Sequence, residues 1–193
     1  MQPLHLDPNE RRALFMKLLG SKPIAAQGHV GTHLDCYTKA PEARVRELYA
    51  LVMDCRRGMP GAEDFRSLPS LQGMALLLHT GNHERNGYGN ATYFAEETFL
   101  TPEAIEALLA KHPAFVVIDS HGLGKSGAVH TGIDKRCEAE GCHVIENADL
   151  SSLSEERRLH LRIEVELDHP STGKPCRIWR MQTAGGCGER SGL

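Results

Sequence analysis

His29-Val30-Gly31-Thr32-His33-Leu34-Asp35 brings two imidazoles and a carboxylate into one short stretch, spaced by a glycine and a threonine. Imidazole nitrogen and carboxylate oxygen are donor types that suit zinc, manganese and ferrous iron. Three protein donors leave a coordination position open for water or substrate, which is what a catalytic ion requires. The preceding Ala25-Ala26-Gln27-Gly28 is mostly small, so backbone can approach backbone closely and the stretch reads as strand or loop rather than mid-helix. Histidines at i, i+4 also arise by chance on helix surfaces. The Gly-Thr insert and the aspartate two residues on turn this pair toward a metal centre. His29, His33 and Asp35 are the expected ligands.

Outward from this motif, apolar runs alternate with helical patterns. Asn9–Leu19 carries Leu14, Phe15, Leu18 and Leu19 at helical spacing after Asp7-Pro8 and before Gly20, an amphipathic opening helix and a candidate dimer arm. Pro41–Asp54 reads as a second helix, with Val45, Leu48, Tyr49 and Val52 on one face. Met74–Leu78, bounded by Gly73 and Gly81, fits a strand buried on both faces that delivers His79-Thr80-Gly81-Asn82-His83 at its end. Thr101-Pro102-Glu103 opens a third helix with a cap, a proline at the first position and an acid in the first turn. Phe115–Ile118 and Val144-Ile145 are further buried strands, and Leu161–Leu167 alternates like an edge or half-exposed strand. Gly185-Gly186-Cys187-Gly188 reads as part of a flexible tail over 182–193. Strands alternating with helices imply an α/β fold.

The 193 residues suit one domain with a sizeable core. A formal charge of −3 gives no electrostatic footprint for nucleic acid or an anionic membrane. The pairs Arg56-Arg57 and Arg157-Arg158 sit among acids and read as solvated face. No segment approaches the ~20 apolar residues of a membrane span, and the charged N-terminus is not a secretory signal, so a cytoplasmic location is expected. The six cysteines form no C-x-x-C pair, and all but Cys36 read as reduced structural thiols. Cys36, beside Asp35, is either a thiolate facing the centre or a small packing residue.

The motif resembles the His-x-Gly-Thr-His-x-Asp signature of the cyclase family of metal-dependent hydrolases, which includes bacterial kynurenine formamidases and isatin hydrolases. Phe115-Val-Val-Ile-Asp119-Ser120 resembles the family's buried strand, and Gly141–Leu150, with Glu146-Asn147, resembles its Gly-x-x-Ile-Ile-Glu-Asn-Leu-x-Leu segment. The likeness spans about residues 25 to 168. It implies a compact central mixed β structure of the swivelling β/β/α kind flanked by helices, and a metal site shared between the first motif and Glu146. It also implies a homodimer or larger assembly. Two departures stand out. The family continues past its aspartate as x-Pro-x-His, where this chain has Tyr37 and Lys39. The family histidine twelve residues before the glutamate falls on Asp134.

A divalent ion on His29, His33 and Asp35, zinc or manganese by donor type, would lower the pKa of a bound water toward ~7 and polarise a carbonyl. That chemistry points to hydrolysis of an amide, lactam, lactone or ester of a small molecule. Glu146 is an attractive further ligand, since a glutamate beside a buried Val-Ile strand needs a partner; the alternative is an exposed turn residue. Asp134 would either harden a second metal position or cap a helix through Lys135–Glu138. Lys39 is a candidate base or substrate anchor, or an ordinary solvated lysine. Among the loop histidines, His83 and His130 are the candidates to replace the missing imidazole. Two other functions use the same residues: a metal-dependent dehydratase, cyclase or isomerase, and a non-catalytic metal- or metabolite-binding relative.

Overall fold

The fold comes from a computed structural model that describes residues 1–6 and 28–182. The expected opening helix and the tail lie outside them. The described elements are β1 (Gln2–Pro3), β2 (His33–Asp35), β3 (Val45–Asp54), α1 (Ala62–Arg66), β4 (Ala75–His79), α2 (Asn82–Asn86) and α3 (Ala91–Ala95). They continue as α4 (Pro102–Leu109), β5 (Phe115–Ile118), α5 (Ala128–Ala139), β6 (His143–Glu146), β7 (Arg158–Val165) and β8 (Gly173–Met181).

The strands pair in the order β1-β8-β2-β6-β5-β4-β3-β7, and β7 also pairs with β8. That last pairing closes the sheet into a mixed barrel. β3, β4, β5 and β6 run parallel, while β2, β7 and β8 pair antiparallel with their neighbours. Closure removes the free sheet edge. Of the two readings of Leu161–Leu167, the half-exposed strand holds and the edge strand does not: β7 is paired on both sides, with alternate residues Leu159, Leu161, Ile163 and Val165 turned inward.

Side-chain alternation splits the core into two clusters. Ala75 and Leu77 of β4, Phe115 and Val117 of β5, and Ile145 of β6 pack inside the barrel with Leu34, Leu48, Ala50, Leu161 and Ile178. Leu76, Leu78, Val116, Ile118 and Val144 face outward and are covered by Phe65 of α1 and Ala104, Ile105 and Leu108 of α4, with Cys137 of α5. The central runs are thus buried on both faces. α4 begins as its sequence says: the Thr101 hydroxyl accepts from Ala104 N–H and Pro102 leads the helix.

The expected helix over 41–54 is a strand. Leu48 and Ala50 turn into the barrel between β4 and β7, while Tyr49 on the opposite face is exposed. The spacing Val45, Leu48, Tyr49, Val52 satisfies a helical period, but Leu48, Ala50 and Val52 also satisfy a period of two. Pairing with two neighbouring strands decides between them.

Candidate metal centre

Strand alternation places the motif. Leu34 enters the barrel core, so His33 and Asp35 face outward, and on β6 the inward Ile145 puts Glu146 on that same outer face. The antiparallel register sets His33 directly opposite Glu146. α5 lies over this face and contributes His130 and Asp134, one helical turn apart.

Six side chains from three elements and one loop converge here. His29 Nδ1, His33 Nε2 and Asp35 Oδ1 form a near-equilateral triangle of 3.0, 3.2 and 3.2 Å. Donors about 2.0–2.2 Å from one ion stand about 3.0–3.5 Å apart, so the triangle fits a divalent cation. The other carboxylate oxygen, Asp35 Oδ2, lies 2.9 Å from His130 Nε2, which is itself 3.3 Å from Asp134 Oδ2 and 3.3 Å from Glu146 Oε1. Asp35 thus joins two ligand groups: His29, His33, Asp35; and Asp35, His130, Asp134, Glu146.

The outer nitrogens of the imidazoles are held so that the inner ones are free to ligate. His33 Nδ1 is 2.8 Å from the Gly31 carbonyl, His29 Nε2 is 2.9 Å from Thr172 Oγ1, and His130 Nδ1 is 3.4 Å from the Gly124 carbonyl. Such partners fix ring orientation and tautomer. Close backbone packing seats the loop: a Cβ on Gly28 would lie 1.7 Å from the Gly173 carbonyl oxygen. Thr32 Oγ1 donates to the Asn147 carbonyl at 2.7 Å and the Asn147 amide donates to the Gly31 carbonyl at 3.2 Å, tying the loop to the end of β6.

The donor set has the electrostatics of a cation site. Asp35, Asp134 and Glu146 are buried together, and Asp35 Oδ1, Glu146 Oε1 and both Asp134 oxygens make no hydrogen bond. Burial and the Asp35 charge push Asp134 up to about 8, and the same causes raise Glu146 well above the usual carboxylate range. Burial also disfavours the Asp35 charge, but the neighbouring imidazoles of His130, His29 and His33 hold it well below its ordinary value. His130, despite its burial, is pushed up to about 10 by Asp35, Glu146 and Asp134. Three acids against a single imidazolium at this depth are costly. A divalent cation relieves that cost, so the residues fit one.

The structure thus brings together His29, His33, Asp35, Glu146, Asp134 and His130. His130 and Asp134 are both interior to α5, so Asp134 caps no helix and His130 is not a loop residue. Glu146 is buried, not an exposed turn residue. His83 stands apart in the first turn of α2, with Nδ1 3.4 Å from Asp149 Oδ1. Lys39 is exposed and lines a cavity of about 330 Å³ with Pro41, His112 and His143 at the start of β6. Glu146 ends that strand, roughly 10 Å away, so Lys39 is not brought to the cluster. Cys36 turns to the other face and packs against the barrel core, and the five described cysteines form no disulfide. Sequence reading missed Tyr37, whose hydroxyl is 3.4 Å from Asp35 Oδ2, and Thr172 on a distant loop. It also missed Gly122, where a Cβ would meet His130 at 2.5 Å and Glu146 at 2.6 Å. The glycine-rich Gly122-Leu-Gly124 was its only signal.

The family model named Cyclase matches residues 3–125, most of the chain. The chain belongs to the Cyclase family. No curated protein matches it. Among solved structures, this Cyclase-family chain is similar to a potential metal-dependent hydrolase with cyclase activity: 18% identity, TM-score 0.63, 83% of this chain and 80% of the other covered. It is similar to a predicted metal-dependent hydrolase from Bacillus stearothermophilus at 20% identity and TM-score 0.61, covering 79% and 76%. It is also similar to isatin hydrolase A from Ralstonia solanacearum at 19% identity and TM-score 0.57, covering 78% and 71%. At these identities the likeness is one of fold: a closed mixed barrel with helices on its outer face.

Proposed function

We propose that the chain is a metal-dependent hydrolase that opens an amide, lactam, lactone or ester bond of a small molecule. The observation that carries this reading is the triangle of His29 Nδ1, His33 Nε2 and Asp35 Oδ1, with His29 at its partly exposed edge, set beside carboxylate oxygens that make no hydrogen bond. A divalent ion held there supplies Lewis-acid polarisation of a carbonyl and a water of lowered pKa. Donor chemistry favours zinc or manganese, and the carboxylate-rich second group leans toward manganese.

The protein's own contribution is orientation and exclusion of water. Thr172 and the Gly31 carbonyl hold the two imidazoles in the ligating tautomer. Tyr37, its hydroxyl kept protonated by burial and by Asp35, offers that carboxylate a donor. His121 precedes Gly122, which abuts His130 and Glu146, and its ring lies 5.7–5.8 Å from those of Tyr93, Phe94 and Phe99. Of these rings Phe94 is the exposed one and suits stacking against a planar substrate, the kind that the isatin hydrolase neighbours are named for. The reading extends to a homodimer or larger assembly working in the cytoplasm. No helix among the described residues is long and apolar enough to cross a membrane.

Protein loaded with zinc or manganese, assayed on lactams, formyl amides, lactones and esters in 18O-enriched water, tests the proposal. Turnover with one solvent oxygen in the product supports hydrolysis. Turnover without incorporation points to a dehydratase, cyclase or isomerase. Metal binding without turnover points to a sensor or binding protein. Either of the latter overturns the hydrolase.

A further inference from the structure

α5 is an unusual support for ligands. Its buried residues are Asp134, Cys137 and Glu138, with Ile133 partly covered, so little apolar surface seats it on the sheet. Asp134 also lies among two other buried acids, Asp35 and Glu146, with only the His130 imidazole of the same helix between the three. Something polar must hold the helix down.

Glu138 is placed to do so. His130, Asp134 and Glu138 follow one another at four-residue steps, so they share a helix face. Glu138 is 1% exposed. Its Oε1 accepts from Tyr37 N–H at 2.6 Å, and its Oε2 accepts from Thr38 N–H at 2.6 Å, Lys39 N–H at 2.9 Å and the Thr38 hydroxyl. These donors begin two residues after Asp35, at the exit of β2. A single carboxylate therefore clamps the strand that carries one half of the centre to the helix that carries the other. Hydrogen bonds to a charged acceptor are roughly twice as strong as neutral ones, and only a carboxylate accepts on both oxygens without presenting a donor to the three N–H groups.

We propose that Glu138 is the positioning residue that sets α5 in register with β2, so that His130 and Asp134 meet Asp35 and Glu146 as a second metal-ligand group. The proposal rests on the metal reading above. Ligand distances tolerate only about 0.2 Å of error, so a loosened helix degrades this group first. His29, His33 and the Asp35 oxygen beside them are seated by β2 pairing with β6 and β8, by Gly31 and by Thr172, and α5 reaches this set only where His130 meets the other Asp35 oxygen.

The test is titration of metal-free protein with cobalt(II), followed by visible absorption and calorimetry, for wild type, Glu138→Gln and Thr38→Val. Wild type should take up two ions. Glu138→Gln should bind the first within about threefold of wild type and the second at least about 10-fold more weakly, the scale of a lost partner to a metal ligand. Thr38→Val, which removes one hydrogen bond of the clamp and keeps the charge, should show the same selectivity at a smaller size, and carries the test alone if Glu138→Gln does not fold. Parallel weakening of both ions would mark a general structural role and overturn the proposal, as would unchanged binding of both. Wild type that takes up only one ion overturns it too, leaving the first site standing. Uptake of none overturns the metal reading itself.

Discussion

Asp35 spends its two oxygens on two different ligand groups, one beside His29 and His33, the other beside His130. His33→Ala should lose the ion held by the first group while leaving the fold in place, because the apolar runs of β4 and β5 pack without it. Elemental analysis showing as much metal per chain in that variant as in wild type would contradict the assignment. Asp134 gives a test by pH. Its folded-state value of about 8 lies above the unfolded value of about 3.9, so between these the native metal-free protein holds a proton the unfolded chain lacks. This contribution to stability is complete at acid pH and is lost as pH rises toward 8. In chelator, the melting temperature of wild type relative to Asp134→Asn should therefore fall from pH 5 to pH 8. A difference independent of pH would exclude the shift. The convergence of His29, His33 and Asp35 was legible because they are adjacent in sequence. His130 was legible only as a loose candidate: counting back from Glu146 reaches Asp134, and the imidazole sits one helical turn earlier on the same face, an offset that needs the helix to be seen.

At the scale of elements, the strands buried on both faces and the capped helix α4 were plain in the sequence, because continuous apolar runs and Thr-Pro-Glu carry their own signals. β3 was misread because its outward face, with Val45, Tyr49 and Met53, is apolar enough to blur alternation. The turn after β5 was silent in a different way. Gly122 has a φ of +118°, which side chains rarely adopt, and any Cβ there would push on His130 and Glu146 together. Gly122→Ala should therefore lower the affinity for the second cobalt(II) ion at least about 10-fold while the first ion binds nearly as before. Equal affinities in the two proteins would show that the turn relaxes without moving the ligands.

For the whole molecule, closure of the barrel was not legible, since it depends on β8 returning to pair with β2 and β7 with β3, contacts remote in sequence. The same remoteness hid Thr172, which reaches His29 from the loop leading into β8. Assembly is the property that remains for solution work. Phe94 is 47% exposed and Val129 60% exposed. Both border the centre: Phe94 lies 5.7 Å ring to ring from His121, and Val129 precedes His130. An apolar rim around a metal centre is the kind of surface that a second copy covers, and two-fold dimers are the commonest closed assemblies. A dimer would bring the segment near 82–90 of one subunit close to the other's metal and narrow the mouth of the site; the segment 15–25, the other candidate, lies outside the described residues. Light scattering at micromolar concentration should return at least twice the monomer mass of 21.2 kDa, and Phe94→Asp should shift it toward the monomer and lower turnover together. A monomer mass with turnover intact would show that each chain completes its own site.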